Sequence, residues 1–440
     1  MTATKLHFPD DQALLGLIRG RVEEGRATGI VLGVLEADGT RRIVACGDPG
    51  PGARAFGPGS VFEIGSITKV FTGILLADMA ARGEVDLDAP VQRYAPRGLI
   101  LPTRGGREIR LSDLATHRSA LPRLPSNLTP GDLTNPYAAY SVAQMYEFLA
   151  SYELPREIGV QCEYSNLGMG LLGHVLADRA GVDYETLVRN RILDPLGMMM
   201  SGVALSPAMK AQLAIGHDGQ GKPTALWDLA ALAGAGALRS NMNDMLTFLG
   251  ANMAEPGNDL ERAMRVSHQA RSGTEFGLAW VILSVGQDRI VVHDGGTGGY
   301  RSVIGFDPVR RVGVVLLTNS ATDANDIGLH LITRAIPLTP RPIARTAIDV
   351  PAEMLARYVG EYQFLRDFTH TVTLRVTLES GGLVLQATGR DKAPIFAESE
   401  TKFFARTADA QFTFLTDAAG SASALILHES RFSRTVKKVR

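Results

Sequence analysis

Two blocks of strand-like sequence stand far apart in this chain, and what lies between them limits the folds it can take. The segment "GIVLGVLEADGTRRIVACG" (residues 29–47) holds two β-rich runs around Asp38-Gly39, a dipeptide suited to a tight hairpin turn. Strand patterns return only in "FGLAWVIL", "RIVVHDGG", "RSVIGFDP" and "RVGVVLLTNS", with Asp307-Pro308 as a turn between the last two. From Ser66 to about Asn252 the pattern is mostly helical. "SVAQMYEFLASY", "LGMGLLGHVLADRAG", "YETLVRNRILDPLG" and "SNMNDMLTFLGANM" each place apolar residues at i, i+3 and i+4 and end near Gly or Pro. The simplest architecture is an α/β (α+β) fold. One antiparallel sheet joins both strand blocks, helices flank it, and a helical subdomain of about residues 75–255 is inserted.

A chain of 440 residues exceeds one ordinary domain. After a helix expected near residues 326–336, "IPLTPRPIARTAIDVPAE" is proline-rich and without periodicity, as a linker is. Residues 1–340, 341–350 and 351–440 therefore read as a first domain, a linker and a second domain. The last of these carries short strands between Gly and Asp turns, which suits a small barrel or sandwich. A formal net charge of −1 argues against nucleic acid and membrane surfaces as partners, and oligomeric state is not legible. The N-terminus has no apolar run behind a basic start, so a cytoplasmic location is expected. Cys46 and Cys162 lie outside any metal-type spacing and are expected to be reduced, with Cys162 in a packing role.

Chemistry concentrates in three places. In "FEIGSITKVFTGILLADMAARG" (residues 62–83), Ile67, Val70, Phe71, Ile74 and Leu75 form one core-facing stripe of a helix, and Ser66 and Lys69 lie three apart beside it. Ser66 is either a helix cap with Lys69 solvated, or a nucleophile whose proton Lys69 removes once burial has lowered its pKa. A second Ser-x-x-Lys, Ser399 to Lys402, falls in β-type sequence, where alternation would point the two side chains to opposite faces. Tyr164-Ser-Asn166 precedes an apolar helix. Tyr164 is either packed or a general base and acid, and Asn166 either caps the helix or holds a substrate carbonyl. In "VVHDGGTGGYRSV", a β-run ends in His293-Asp294-Gly295-Gly296, which is a glycine-rich turn or a strand edge against which a substrate lies.

Together these pieces resemble the serine β-lactamase and penicillin-binding-protein superfamily, whose pattern is Ser-x-x-Lys, Tyr-x-Asn and a Lys- or His-headed x-Gly strand. The class C type is the nearest. "LSDLATHRSALP" (residues 111–122) resembles that family's "LLTHTSGLP" loop, with Ala120 for glycine, and "GEVDLDAPVQRYAP" and "AGAGALRSNMNDM" are similar to its connecting segments. The likeness covers roughly residues 10–336, and "YVGEYQ" and "GGLVLQ" are similar to a lipocalin-like β-barrel appended to many relatives. The resemblance implies Ser66 as nucleophile, Lys69 and Tyr164 as the base pair, and Asn166 orienting the substrate. His293 takes the third motif's basic place, and the N–H groups of Ser66 and Gly296 form the oxyanion hole. It implies no metal or cofactor.

Three departures steer the reading. His293-Asp294-Gly295 replaces Lys-Thr-Gly, so a titratable imidazole stands for a permanent cation. Asp294, if it faces the site, repels the carboxylate that β-lactams and D-alanyl-D-alanine ends carry. No export signal is visible. These point to the superfamily's family VIII carboxylesterases, which often retain weak β-lactamase activity, with a small ester, amide or β-lactam as substrate. The alternatives are a β-lactamase, a D-amino-acid-specific peptidase or acyl transferase (including peptide-cyclising thioesterases), and a non-catalytic binding protein on the same fold. An α/β-hydrolase is disfavoured, because no serine lies in Gly-x-Ser-x-Gly. His117 and His174 are assigned no catalytic role, while Trp227 and Tyr300 are candidates for an acyl pocket or for the core.

Overall fold

The computed structural model describes residues 8–271, 273–340, 345–365, 371–379, 381–388, 392–405, 410–417, 420–429 and 432–440. Residues 1–7, where the absence of a leader was read, and residues 341–344 of the expected linker lie outside the described residues. Two compact units emerge, Met1–Leu338 and Thr339–Arg440.

In the first unit the described residues build a sheet from six strands: β1 (Gly29–Leu35), β2 (Arg41–Gly47), β3 (Val281–Val285), β4 (Asp288–Gly296), β5 (Arg301–Asp307) and β6 (Val312–Thr318). Their order is β2-β1-β6-β5-β4-β3, antiparallel at every step. The two distant strand blocks thus meet where Ile30 faces Thr318 and Leu32 faces Leu316. Both central strands are buried along their whole length, because helices cover each face of the sheet. On one face Ile30, Leu32, Val34, Val314 and Leu316 pack with apolar residues of helix α1 (Asp11–Glu23). On the other, Val31, Leu35, Val315 and Leu317 join the larger core of the helical block.

That block differs from expectation at its centre. Val61–Glu63 is a short strand paired with Arg239–Asn241, so the helix carrying Lys69, α2 (Thr68–Ala81), begins later than the apolar pattern suggests. Nor does α2 bury a single stripe, since every residue from Thr68 to Met79 is buried. Its neighbours include α3 (Asn166–Ala180) and the helix Asp259–Ser267. A helix that is apolar nearly all round belongs inside a core, and any polar group on it goes inside too. Of "FGLAWVIL" only the end is strand, with Ala279 at φ +70° before β3.

In the second unit the described strands close into an eight-membered antiparallel barrel. This bears out the small β-barrel that the resemblance of "YVGEYQ" and "GGLVLQ" implies, where the strand pattern by itself also suits a sandwich; the strands Lys392–Ala397 and Phe432–Lys438 were not among those expected. The second Ser-x-x-Lys does not alternate along a strand. It spans a turn, in which the Lys402 N–H donates to Ser399 Oγ at 3.1 Å. Among the described residues no helix is long and apolar enough to cross a membrane.

Candidate active site

The segment carrying Ser66 turns on Gly65. This residue has φ +50°, and a Cβ there would stand 2.7 Å from the Gly296 nitrogen. Glycine therefore permits both the turn and the close approach of β4. A 3-10 turn, Gly65–Ile67, then leads into α2 and leaves Ser66 half-buried.

Lys69 follows one turn later and is 0% exposed. Its Nζ lies 2.9 Å from Ser66 Oγ, donates to the Ala235 carbonyl at 2.6 Å and stands 4.8 Å from the centre of the Tyr164 ring. Complete burial drives its pKa well below the ordinary lysine value; Arg123 pushes the same way and Asp294 opposes. An uncharged amine that gives one hydrogen to Ala235 keeps a lone pair for the Ser66 hydroxyl.

Tyr164 is hydrogen-bonded to Ser66, and burial raises its pKa above the usual phenol value. The phenol therefore keeps its proton at neutral pH. Its ring lies tilted against His117, at 4.5 Å between centroids, with the Arg123 guanidinium carbon 5.1 Å from its centre. From the sequence His117 has no catalytic role and belongs only to its loop. In the fold it is buried, and its Nδ1 accepts the Ser165 N–H at 3.1 Å, so it braces the turn that presents Tyr164. His174 is elsewhere, in α3, paired with the Tyr146 hydroxyl at 2.7 Å.

Ser165, not Asn166, caps α3, accepting the Gly168 N–H at 2.8 Å. Asn166 lines the same cavity as Ser66, and its buried Oδ1 has no partner among the described residues. An amide left unpaired in this way is available to a ligand.

The third segment arrives on β4. His293 is buried, and its Nδ1 sits 2.6 Å from the Asp294 carbonyl oxygen. A carbonyl only accepts, so Nδ1 carries the proton and Nε2 is a bare acceptor, buried without a partner among the described residues. Burial first, then the neighbouring Lys69, lowers its pKa to about 3, so the ring is neutral. Asp294 is exposed, with Asn325 Nδ2 at 3.5 Å from its carboxylate. Its negative charge raises the pKa of both Lys69 and Tyr164. Gly295 lets β4 press on the Ser66 segment, where an added Cβ would lie 2.1 Å from the Ile64 oxygen.

Gly296 ends the strand in a useful orientation. The Thr297 N–H donates to the Tyr300 carbonyl, so the adjoining pair, Gly296 and Arg301, is of the non-bonded type. β3 pairs with β4 no further than Val292, so the Gly296 N–H points to an open edge, beside Gly65. The N–H groups of Ser66 and Gly296 are the candidates for holding an oxyanion.

A cleft opens from Ser66, bordered by Asn166, Gly296, Tyr137, Trp227 and Leu229. Tyr137 was missed by sequence analysis, since it sits in a loop without periodicity. It meets Trp227 edge-on at 5.1 Å, and behind them Asn135 and Asp228 exchange two hydrogen bonds, at 3.0 and 2.8 Å. The Trp227 N–H donates to Glu63, itself paired with Arg239, and both charges are buried. Of the two aromatic candidates, then, Trp227 lines the cavity. Tyr300 is core, donating its hydroxyl to the Ala214 carbonyl at 2.7 Å. Cys162 is an unbridged thiol on an exposed residue, with its Sγ 3.8 Å from the Thr116 carbonyl oxygen and its pKa raised by burial. Among the described residues no group of three or more His, Cys, Asp or Glu is placed to hold a metal ion.

Comparison with known proteins gives a consistent set of likenesses. Residues 14–335 match the Beta-lactamase family, and residues 344–440 match a domain of unknown function, DUF3471. The D-alanyl-D-alanine-carboxypeptidase/endopeptidase AmpH of Escherichia coli (strain K12) is 30% identical over 316 residues, which are 67% of this chain and 80% of that protein. A class C beta lactamase from Rhodobacter sphaeroides has a similar fold, with a TM-score of 0.63 at 23% identity, over 74% of this chain and 98% of that one. The octameric penicillin-binding protein homologue from Pyrococcus abyssi also gives a TM-score of 0.63, at 22% identity, over 97% of this chain and 100% of that one.

Proposed function

This chain belongs to the Beta-lactamase family of serine hydrolases, and we propose that it hydrolyses carboxylic esters through an acyl-enzyme on Ser66, as a carboxylesterase of the family VIII type. In this reading the neutral Lys69 amine takes the Ser66 proton as Oγ attacks the ester carbonyl. The N–H groups of Ser66 and Gly296 receive the oxyanion, and Asn166 holds a polar group of the acyl part. Tyr164, still protonated, gives its proton to the departing alkoxide and is recharged from the Lys69 ammonium. Water then retraces these steps and releases the acid.

The observation that carries the ester reading is His293. A neutral ring offering a bare Nε2 acceptor has neither charge nor hydrogen for a substrate carboxylate. Asp294 adds repulsion of roughly a kcal/mol or more where screening is poor. β-Lactams and D-alanyl-D-alanine ends carry that carboxylate, whereas simple esters do not.

The competing reading, a β-lactamase or a D-amino-acid peptidase or acyl transferase, draws on the relatives, one of which is named for D-alanyl-D-alanine cleavage. The test is kcat/KM for a short p-nitrophenyl ester, a chromogenic cephalosporin and a D-alanyl-D-alanine peptide, with Ser66→Ala as control. Fast ester cleavage that vanishes in the variant supports the proposal, and a faster cephalosporin or peptide rejects it. The same reading takes residues 1–340 as the hydrolase, 341–350 as a linker and 351–440 as a lipocalin-like domain, in a cytoplasmic protein.

A further inference from the structure

One charged side chain beside the nucleophile has no part in the reaction above. Arg123 is exposed, and its guanidinium lies over the Tyr164 ring. Among the described residues that guanidinium makes no hydrogen bond or ion pair. Its backbone, by contrast, is fixed: the Arg123 carbonyl accepts the N–H groups of Asn166 and Leu167, at 3.0 and 3.2 Å. The side chain is thereby anchored at the start of α3, next to Asn166. Its field reaches Tyr137, which walls the cavity, as well as Lys69 and Tyr164.

A guanidinium held over a ring by its charge does not spend its N–H groups on that contact. Those donors match the two oxygens of a carboxylate in spacing and direction, and a pair so formed is stronger than one between neutral groups. Arg123 stands next to Asn166, and its charge is felt at Tyr137; both of these residues line the cleft, on the side where the acyl part would lie. Asp294, by contrast, comes from the sheet edge.

We propose that Arg123 is the binding residue for a carboxylate on the acyl half of the substrate, so that the preferred esters are half-esters of short dicarboxylic acids with uncharged or cationic leaving groups. The substrate class rests on the ester-hydrolase reading, but the anion site itself does not.

The experiment compares kcat/KM for p-nitrophenyl hydrogen adipate and p-nitrophenyl hexanoate, which match in chain length and differ in the terminal carboxylate. The adipate is expected to be preferred. Arg123→Gln should lower the ratio of the two constants by about tenfold, and Arg123→Lys should restore part of it. An unchanged ratio, with both esters slowed alike and the pH profile displaced, would mean that Arg123 acts through Tyr164, and the proposal falls. A second measurement needs no turnover: calorimetric binding of adipate to Ser66→Ala and to Ser66→Ala/Arg123→Gln. Several-fold weaker binding in the double variant supports the site, and equal binding overturns it. Should neither ester be cleaved while adipate binding still depends on Arg123, the ester reading fails and the anion site stands.

Discussion

At the scale of single residues, the chemistry depends on which groups are uncharged. Lys69 is a base only as a free amine, and its pKa lies well below the lysine range because no water reaches it. The acid limb of kcat/KM for an ester therefore lies far below pH ~10.4, and activity persists until the buried Tyr164 phenol ionises, above pH ~10. Asp294 raises the Lys69 pKa, so Asp294→Asn should move that acid limb to lower pH. A pH profile that stays in place would show that the Asp294 charge does not reach the lysine. Asp294→Thr should also raise kcat/KM on a carboxylate-bearing cephalosporin, by about fivefold for each kcal/mol of repulsion removed. Ser66, Lys69 and Tyr164 were legible in the sequence because each belongs to a short motif whose spacing has a mechanical meaning. Tyr137 and Arg123 were not, because they sit in loops, and only the fold brings a loop to a cavity.

At the scale of elements, the join between Val61–Glu63 and α2 matters most. Gly65→Ala would force a left-handed residue to carry a Cβ against the Gly296 backbone, which does not yield as a side chain end can. We expect kcat for ester hydrolysis to fall by about a hundredfold or more, the range seen when an oxyanion donor is lost. A variant within about twofold of the parent would refute the placement of Gly296 at the reacting oxygen. The Glu63–Arg239 pair ties that same strand to Arg239–Asn241 and to Trp227. Arg239→Met leaves Glu63 buried without its cation and should cost about 3–5 kcal/mol in urea unfolding. The amphipathic pattern of residues 67–75 did announce a helix, and α3 was likewise legible in "LGMGLLGHVLADRAG", within a residue of its ends. What the pattern could not announce is that α2 is enclosed on all sides, since periodicity reports one apolar face and not how many neighbours cover the others. That enclosure is what discharges Lys69.

At the scale of the whole molecule, acid is the condition to which the fold is most exposed. Burial holds His268 and His293 neutral, each with a pKa of about 3, and His117 well below its ordinary value. The unfolded chain takes up these protons near pH ~6.5. Their contribution to stability is therefore complete above that pH and is lost progressively as pH falls toward 3. Tm should begin to drop near pH ~6.5, above the range in which carboxylates titrate. His268→Gln, which can keep the bond to Asn252, should make that drop shallower. An equal acid limb in parent and variant would exclude His268 as a source of the loss. The joining of two distant strand blocks into one sheet was readable from the strand patterns alone, whereas closure of the second unit into a barrel was readable only through the resemblance of "YVGEYQ" and "GGLVLQ", because short strands with turns suit a sandwich equally well. The strand order has a consequence for how the chain is made. β1, apolar and buried along its length, is synthesised early, yet its partner β6 ends only at Thr318. At ~5–20 residues per second a ribosome needs roughly 15–60 s to cover that distance. For that interval the most hydrophobic strand of the nascent sheet has only β2 beside it, which makes the growing chain a natural client for a holding chaperone.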